Sequence, residues 1–412
     1  MSRELSPPGV SEEHPASGWP AIAMESRPWK IAEAGAPRPV ASRRQLRLAA
    51  GDYQAAVPPF IADLSVQLSA EVLAAADDAS AELARFDAEV GLIAAPFASI
   101  LLRSESASSS EVENLTSSAK QVALAELRAS TSGNARLVVA NVRAMRAALE
   151  LADDINEDAI IAMQHALLGE SAPHVTGTFR TQQVWIGGGG ISPHTASFVP
   201  PHHERVPALM ADLVDFSQRT DVPLLAHAAI THAQFETIHP FPDGNGRTGR
   251  ALLHSMLRHG GLTRNVTVPV SAGLLQDTEH YFAALTAYRA GDPEAIVSAV
   301  TTAAFAAVDN GRRLVDELND IATRWEAEIP SRRGSAAARL RELLLRHPVV
   351  NARLVAQELS VSDVAAGAAI DRMVNGGALV KTNNYKRNRI WHAPDVLAAL
   401  DRFGARARRR VL

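Results

Sequence analysis

The chain has no cysteine, which closes off both a disulfide framework and any thiolate metal site. Absence of thiols also suits a reducing compartment. Aromatic residues make up only 5% of the 412 positions while Ala, Leu and Val are common, a balance that favours helices over a large sheet. Apolar runs such as residues 303–308 are far shorter than a bilayer span. The first residues carry no charged region followed by an apolar stretch and a small-residue cleavage site. These absences predict a mainly α, soluble, cytoplasmic protein without membrane contact. What is present, 47% hydrophobic and 21% charged residues, is a globular composition, and the length calls for two or three domains.

The net charge of −4 is unevenly spread. From Arg339 onward there are 14 Lys and Arg against 6 Asp and Glu, a local balance of +8, which leaves −12 for everything before it. A basic end on an acidic protein points to nucleic acid or another acidic partner. A solvated tail carrying Arg406, Arg408, Arg409 and Arg410 accounts for the same numbers equally well.

Residues 1–48 are rich in Pro, Ser, Gly and charge, and are expected to lack a fixed fold. Helical patterning starts near Pro59 and runs through Leu64, Val66, Leu68, Val72 and Leu73. Further helices are expected over 80–90 and 114–129, and two more lie between 140 and 168, parted near 153–156. Residues 176–186 and 198–201 then read as two extended segments around the glycines at 187–190, a β-hairpin in a helical domain. Helices resume at 206–216 and 223–238. The region 336–403 reads as a separate unit: a helix with Leu340, Leu343 and Leu344, a second capped by Asn351, a third capped by Ser362, then a two-stranded wing around Asn383 and Asn384. That is the order of a winged helix. The implied divisions are 1–48, a helical module at 49–130, a core at 131–315, the small unit at 336–403 and a basic tail at 404–412.

The chemistry is concentrated in the twelve residues His239-Pro240-Phe241-Pro242-Asp243-Gly244-Asn245-Gly246-Arg247-Thr248-Gly249-Arg250. A glycine-rich loop entering a helix offers free backbone N–H groups and the positive end of the helix dipole to an anion. Gly244 and Gly246 let phosphate oxygens approach closely. Asp243 is a hard oxygen ligand of the kind magnesium takes beside phosphates. Arg247 and Arg250 project from one helical face and suit different phosphates of one triphosphate. Asn245 can bond a further oxygen, and His239 is the neutral-pH base of the segment. Taken singly, Asp-Gly and Gly-Asn-Gly are ordinary turns. Turn chemistry does not explain a base, an acid and two helix-face arginines together.

The segment resembles the motif of the Fic family, His-Pro-Phe-x-(Asp/Glu)-Gly-Asn-Gly-Arg-x-x-Arg, at every fixed position. The likeness extends to Ala226, His227, Gln234, Phe235, Glu236 and Ile238 ahead of it, to the hairpin, called the flap in that family, and to an N-terminal module from Tyr53, covering about 50–315. The resemblance implies a Fic-type helical bundle with a β-hairpin flap, followed here by the winged-helix-like unit. It implies an ATP-dependent transferase that needs Mg2+ and attaches AMP to Ser, Thr or Tyr of a protein bound along the flap by strand addition. His239 is the implied base and Asp243 the magnesium ligand. Asn245, Gly246 and Arg247 position the α- and β-phosphates and Arg250 the γ-phosphate, with Gly244, Thr248 and Gly249 completing the nucleotide-binding run. Tyr281 and Phe282 resemble the adenine wall, although Arg289 stands where relatives commonly have Asn. The branch resembling the Doc toxin, which transfers the γ-phosphate, has Lys where this chain has Gly246. Other nucleotides and phosphocholine are alternatives within the fold, and many members form homodimers.

Residues 109–114, Ser-Ser-Glu-Val-Glu-Asn, fit the family's inhibitory pattern (Ser/Thr)-x-x-x-Glu-(Gly/Asn). The resemblance makes Glu113 a brake that pairs with Arg250 and removes the γ-phosphate clamp. Members with such a Glu can also remove AMP. His202 and His203 read as solvated loop residues, and His227 and His232 as packing. The competing function is a DNA-binding regulator built on the C-terminal unit, with Lys381, Lys386, Arg387 and Arg389 on the wing and Arg372 on the third helix.

Overall fold

The computed structural model describes residues 18–29, 42, 47, 49–92, 96–188, 191–382 and 388–409. The structure is mainly helical and is organised around a helix with no solvent-facing side. In chain order its elements begin with β1 (Ala23–Pro28), β2 (Asp52–Val57), α1 (Ala70–Leu92), α2 (Pro96–Val112), α3 (Ala119–Glu126), α4 (Gly133–Glu150) and α5 (Glu157–Leu168). They continue with α6 (Val206–Ser217), α7 (Leu224–Ile238), α8 (Asn245–His259), α9 (Val270–Leu274), α10 (Thr278–Arg289) and α11 (Pro293–Glu328). The last group is α12 (Ala336–Arg346), β3 (Val349–Asn351), α13 (Ala352–Leu359), α14 (Asp363–Asn375), β4 (Val380–Lys381), β5 (Ile390–His392) and α15 (Pro394–Ala407).

Every residue of α7 from Leu225 to Ile238 is buried, as expected of a helix enclosed on all sides. Several of its polar side chains are therefore bonded internally. Thr231 and Thr237 donate to carbonyls one turn back, Gln234 donates to the Pro59 carbonyl, and the Tyr288 hydroxyl donates to Gln234 Oε1. Helices α1, α6, α8, α10 and α11 pack around it. Among the described residues no helix is long and apolar enough to cross a membrane.

Helix α11 has 36 residues and is about 54 Å long. Pro293 occupies its first turn, and the Asp292 carboxylate accepts from Glu294 and Ala295 N–H groups. It runs past 315, so the boundary placed there from sequence falls within a continuous helix. Arg341 donates to the Ile329 carbonyl where the helix ends, and Trp325 is 1% exposed.

The C-terminal unit has its helices in the expected order with their expected caps: Leu354 N–H donates to Asn351 Oδ1 and Ala365 N–H to Ser362 Oγ. Strand β3 was not foreseen; it joins β5 and β4 in an antiparallel sheet of order β3-β5-β4. Asn383, Asn384, Lys386, Arg387 and Arg410 lie outside the described residues, as do Gly189 and Gly190 and most of 1–48.

Four expectations need correction. Residues 23–28 form β1, paired antiparallel with β2 from Ala23↔Val57 to Pro28↔Asp52, and Glu25 is clasped by Arg205 at 2.9 and 2.7 Å; composition hid a strand whose charges are paired. Residues 58–69 are not helical: Leu64, Val66 and Leu68 alternate with more exposed neighbours, a period of two rather than 3.6. The flap has one bridge, Ile186↔Phe198, instead of a ladder, because Pro200 and Pro201 have no N–H to give and Val199 O accepts from Ala56 of β2. The supposed tail from 404 is helix as far as Ala407, since Arg402 and Arg406 pair with Glu317 of α11 and Arg408 with Glu111 of α2. The helix expected at 80–90 is part of the longer α1, that at 114–129 shrinks to α3, and α2 was missed.

The core where α1 meets α11 is tightly fitted. Phe86 is fully buried, and a Cβ at Gly311 would lie 2.9 Å from its Cζ. Phe86→Ala is expected to cost about 3–5 kcal/mol and Gly311→Ala about 1–3 kcal/mol, measured as a lowered urea midpoint with unchanged slope.

Candidate active site

Helix α7 ends in a backbone conformation that only a well-held side-chain-bearing residue adopts. His239 has φ 52°, ψ 61° and gives its N–H to the Phe235 carbonyl at 2.8 Å. Arg180, on the first leg of the flap, fixes this turn. Its backbone N–H donates to the Pro240 carbonyl, and its guanidinium donates to the carbonyls of His239 (2.8 Å), Gln182 (3.0 Å) and Pro201 (2.6 Å). Burial lowers the Arg180 pKa to about 10. The sequence offered no sign of this arginine's role, because its partners are backbone carbonyls.

The loop from His239 to α8 is shaped by two further contacts. Asn245 accepts from Phe241 N–H and donates to Phe241 O, both at 2.8 Å. Its amide is thus a brace for the loop, where the sequence reading had it facing a ligand oxygen. Gln164 of α5 donates to Asp243 O at 3.3 Å from beneath. Gly244, at φ 84°, precedes α8, and a Cβ there would lie 2.9 Å from Leu167 Cδ2. Glycine is required for both reasons.

The two arginines of α8 are buried but differ in their partners. Arg247 is 5% exposed, and its Nε and one terminal nitrogen have no hydrogen-bond partner. Its nearest acid is Asp243 at 3.6 Å. Arg250 is saturated: Nε donates to Ser109 Oγ at 2.9 Å, and Nη2 to Ser109 O at 2.7 Å and Glu113 Oε1 at 3.0 Å. Burial would lower its pKa, but the Glu113 carboxylate raises it above the ordinary arginine value. Thr248 and Gly249 are buried in the same turn.

Glu113 reaches Arg250 because α2 is stopped just before it. Asn114 has φ 60° and gives its N–H to Glu111 O, while Leu115 N–H returns to Ser110 O. That left-handed terminating position is the one Gly or Asn fills best, a physical reason for the last letter of the inhibitory pattern. A Cβ at Gly246 would come 1.9 Å from Glu113 Oε1, so Glu113 lies directly on the glycine loop. Asn141 of α4 secures α2 by donating to Ser106 O at 2.8 Å.

Asp243 is 63% exposed on its side chain, and its Oδ1 accepts from Gly244 N–H. Among the described residues no group of three or more His, Asp and Glu converges. A lone accessible carboxylate beside an anion cradle nevertheless fits magnesium, which takes one or two carboxylates and otherwise phosphate and water oxygens.

Tyr281 and Phe282, read as one aromatic wall, have rings 5.1 Å apart but differ in exposure. Tyr281 is buried with its hydroxyl 2.8 Å from His232 Nε2, whereas Phe282 is 50% exposed. Arg289 lies 3.7 Å above the Phe198 ring and so ties the flap to α10. His227 contacts the Phe216 carbonyl and serves packing as expected. His202 and His203, expected to be solvated, are half-buried with buried Nδ1 atoms, their rings 4.1 Å apart and tilted by 40°.

Residues 154–257 match the family model described as Fic/DOC family, and 73–150 match its N-terminal module. The protein adenylyltransferase fic-1 of Caenorhabditis elegans is 32% identical over 143 residues, 34% of this chain and 25% of that one. The protein adenylyltransferase Fic of Nematostella vectensis is 29% identical over 147 residues, 35% of this chain and 31% of that one. The chain thus spans only about a quarter to a third of these relatives. A crystal structure of a Fic family protein from Desulfovibrio desulfuricans G20 is similar at 20% identity and a TM-score of 0.49, covering 80% of this chain and 97% of that one.

Burial lowers the pKa of both His232 and His239 to about 3, aided by Arg250 at the first and by Arg180 and Arg289 at the second. Both rings are therefore neutral in the folded protein from pH 8 to 5, while the unfolded chain protonates near 6.5. Their contribution to stability is present above about pH 6.5 and is lost as pH falls from there toward 3. Neither imidazole is expected to take up a second ring proton between pH 8 and 5, read from its 15N shifts.

Proposed function

This chain belongs to the Fic/DOC family, and on that premise we propose that it is a protein adenylyltransferase that moves AMP from ATP to a Ser, Thr or Tyr hydroxyl of a protein. The observation that carries the reading is Arg247: a buried guanidinium with two unpartnered nitrogens, at the head of a helix whose first N–H groups are free for an anion. A buried cation in that condition is a site for phosphate rather than a core residue. The named relatives support the transfer of AMP.

In this reading Gly244, Gly246 and the first turn of α8 hold the α- and β-phosphates with Arg247, and Asp243 would hold magnesium, which spreads the negative charge of the phosphates. His239, neutral at working pH, takes the proton from the target hydroxyl. The hydroxyl oxygen bonds to the α-phosphorus as the bridging P–O bond breaks, and pyrophosphate leaves. The flap legs present unladdered backbone to an extended target segment. Phe282 is the exposed ring available to adenine, with Tyr281 behind it.

Glu113 acts as the brake. What supports this is its 3.0 Å contact with Arg250 and its position over Gly246; with Arg250 held there, the γ-phosphate has no clamp. Of the cations assigned to DNA, Arg372 donates instead to the Pro330 carbonyl; near the C-terminus, Arg402 and the tail residues Arg406 and Arg408 pair with acids of the helical body. The C-terminal unit, in the winged-helix order, serves this enzyme as a docking or regulatory part.

With ATP labelled on the α-phosphate and magnesium present, Glu113→Gly is expected to label itself at least about tenfold more than wild type, a loss of brake equivalent to about 1.4 kcal/mol. Adding His239→Ala should abolish the label, and γ-labelled ATP should give none. Label from γ alone would make the protein a kinase, and label only with another nucleotide would reassign the donor.

A further inference from the structure

His239 has a partner that the sequence motif does not include. One turn before it on α7, Glu236 is buried, with its side chain 9% exposed and its Oε2 3.9 Å from His239 Nδ1. Glu236 Oε1 and His239 Nδ1 are both buried without a hydrogen-bond partner. An acceptor and a possible donor, each short of a partner and carried by side chains that approach to 3.9 Å through Oε2, are uncommon in a native interior and complement each other. Space for the carboxylate exists because position 249 is glycine: a Cβ there would lie 3.0 Å from Glu236 Oε1 and 3.1 Å from His232 Nδ1.

We propose that Glu236 is the positioning residue of His239: its carboxylate holds the Nδ1 proton, leaves Nε2 as the free lone pair, and offsets the charge the ring gains on taking the target's proton. The inference rests on the transfer reading above and deepens it. The need for such a group follows from the surroundings. Arg180 from the flap and Arg289 from α10 both disfavour a protonated His239, and burial disfavours it more. Arg250 of α8 also faces Glu236, opposed by Glu113 at the end of α2. His232, on the same helix, and Tyr281 of α10 bond each other. Among the described residues around His239, Glu236 is the group placed to supply a negative charge near Nδ1, and its backbone carbonyl also favours the protonated ring.

The step balances without a second proton transfer. The target O–H bond breaks and its proton goes to Nε2, the O–P bond forms and pyrophosphate departs. The Nδ1 proton stays on the ring, hydrogen-bonded to a carboxylate that remains ionised. Burial raises the Glu236 pKa to about 7, so the ionised, active form accumulates as pH rises through neutrality.

The test uses full-length protein in the Glu113→Gly background. Glu236→Gln is expected to lower kcat by about 100-fold with the KM for ATP unchanged, and to remove a rise of kcat with pH centred near 7. Glu236→Leu should reduce activity to the level of His239→Ala while ATP affinity, measured by calorimetry, is retained. A Glu236→Gln variant that keeps its kcat and its pH profile would assign the orientation to the backbone carbonyl and overturn the proposal. An equal loss of ATP affinity and kcat would also overturn it, as a packing effect. If Glu113→Gly itself transfers nothing, the transfer reading fails, and the 15N spectrum of His239 still decides. The Nδ1-protonated tautomer should dominate with Glu236 present and fall with Glu236→Leu; an unchanged tautomer refutes the pairing.

Discussion

A guanidinium enclosed on all sides must be fully bonded, and the burial of Arg250 sets much of what surrounds it. Three of its hydrogen bonds go to one short stretch at the end of α2. For that stretch to arrive there, α2 has to stop in a left-handed turn at Asn114 and be gripped along its length. Asn141 supplies one such grip and the Glu105 carboxylate another, accepting from Ser271 N–H at 2.8 Å with His254 Nε2 at 2.9 Å. The contact between Glu113 and Arg250 is therefore not an appendage laid over a finished site. Ser109 holds Arg250 through two bonds that do not involve Glu113, so the cation stays paired when the carboxylate withdraws.

The same economy governs charge over longer distances. The basic excess at the end of the chain and the acidic excess before it meet face to face, at Glu317 with Arg402 and Arg406 and at Glu111 with Arg408. The asymmetry read from the sequence was real. Part of it is met within the same molecule, by Arg402, Arg406 and Arg408, and the count alone could not separate that seam from a surface for another partner.

Legibility followed the range of the interactions. α6, with its 3.6 period, α7, an apolar run of helical length, and the C-terminal set with side-chain caps at Asn351 and Ser362 could be placed from local signals. The motif loop could be read because its chemistry is written in consecutive residues. Arg180 and Glu236 could not be assigned roles, since one acts on carbonyls about 60 residues away and the other through the absence of a side chain at Gly249. The bonds that Asn245 makes to Phe241 could not be foreseen, because hydrogen-bonding capacity does not reveal which partner geometry will choose. Residues 58–69 were misjudged because isolated leucines and valines fit two periods, and the wrong one was taken.

Helix α11 has a consequence for how the chain can be divided. Its N-terminal half closes the core around α7, and its C-terminal half supplies Leu318, Ile321 and Trp325 to the packing that leads into α12. Cutting at any point along it would strip an apolar face from one side or the other. The two parts share a wall, and neither can be inherited, exchanged or expressed as a self-contained module without rebuilding that wall.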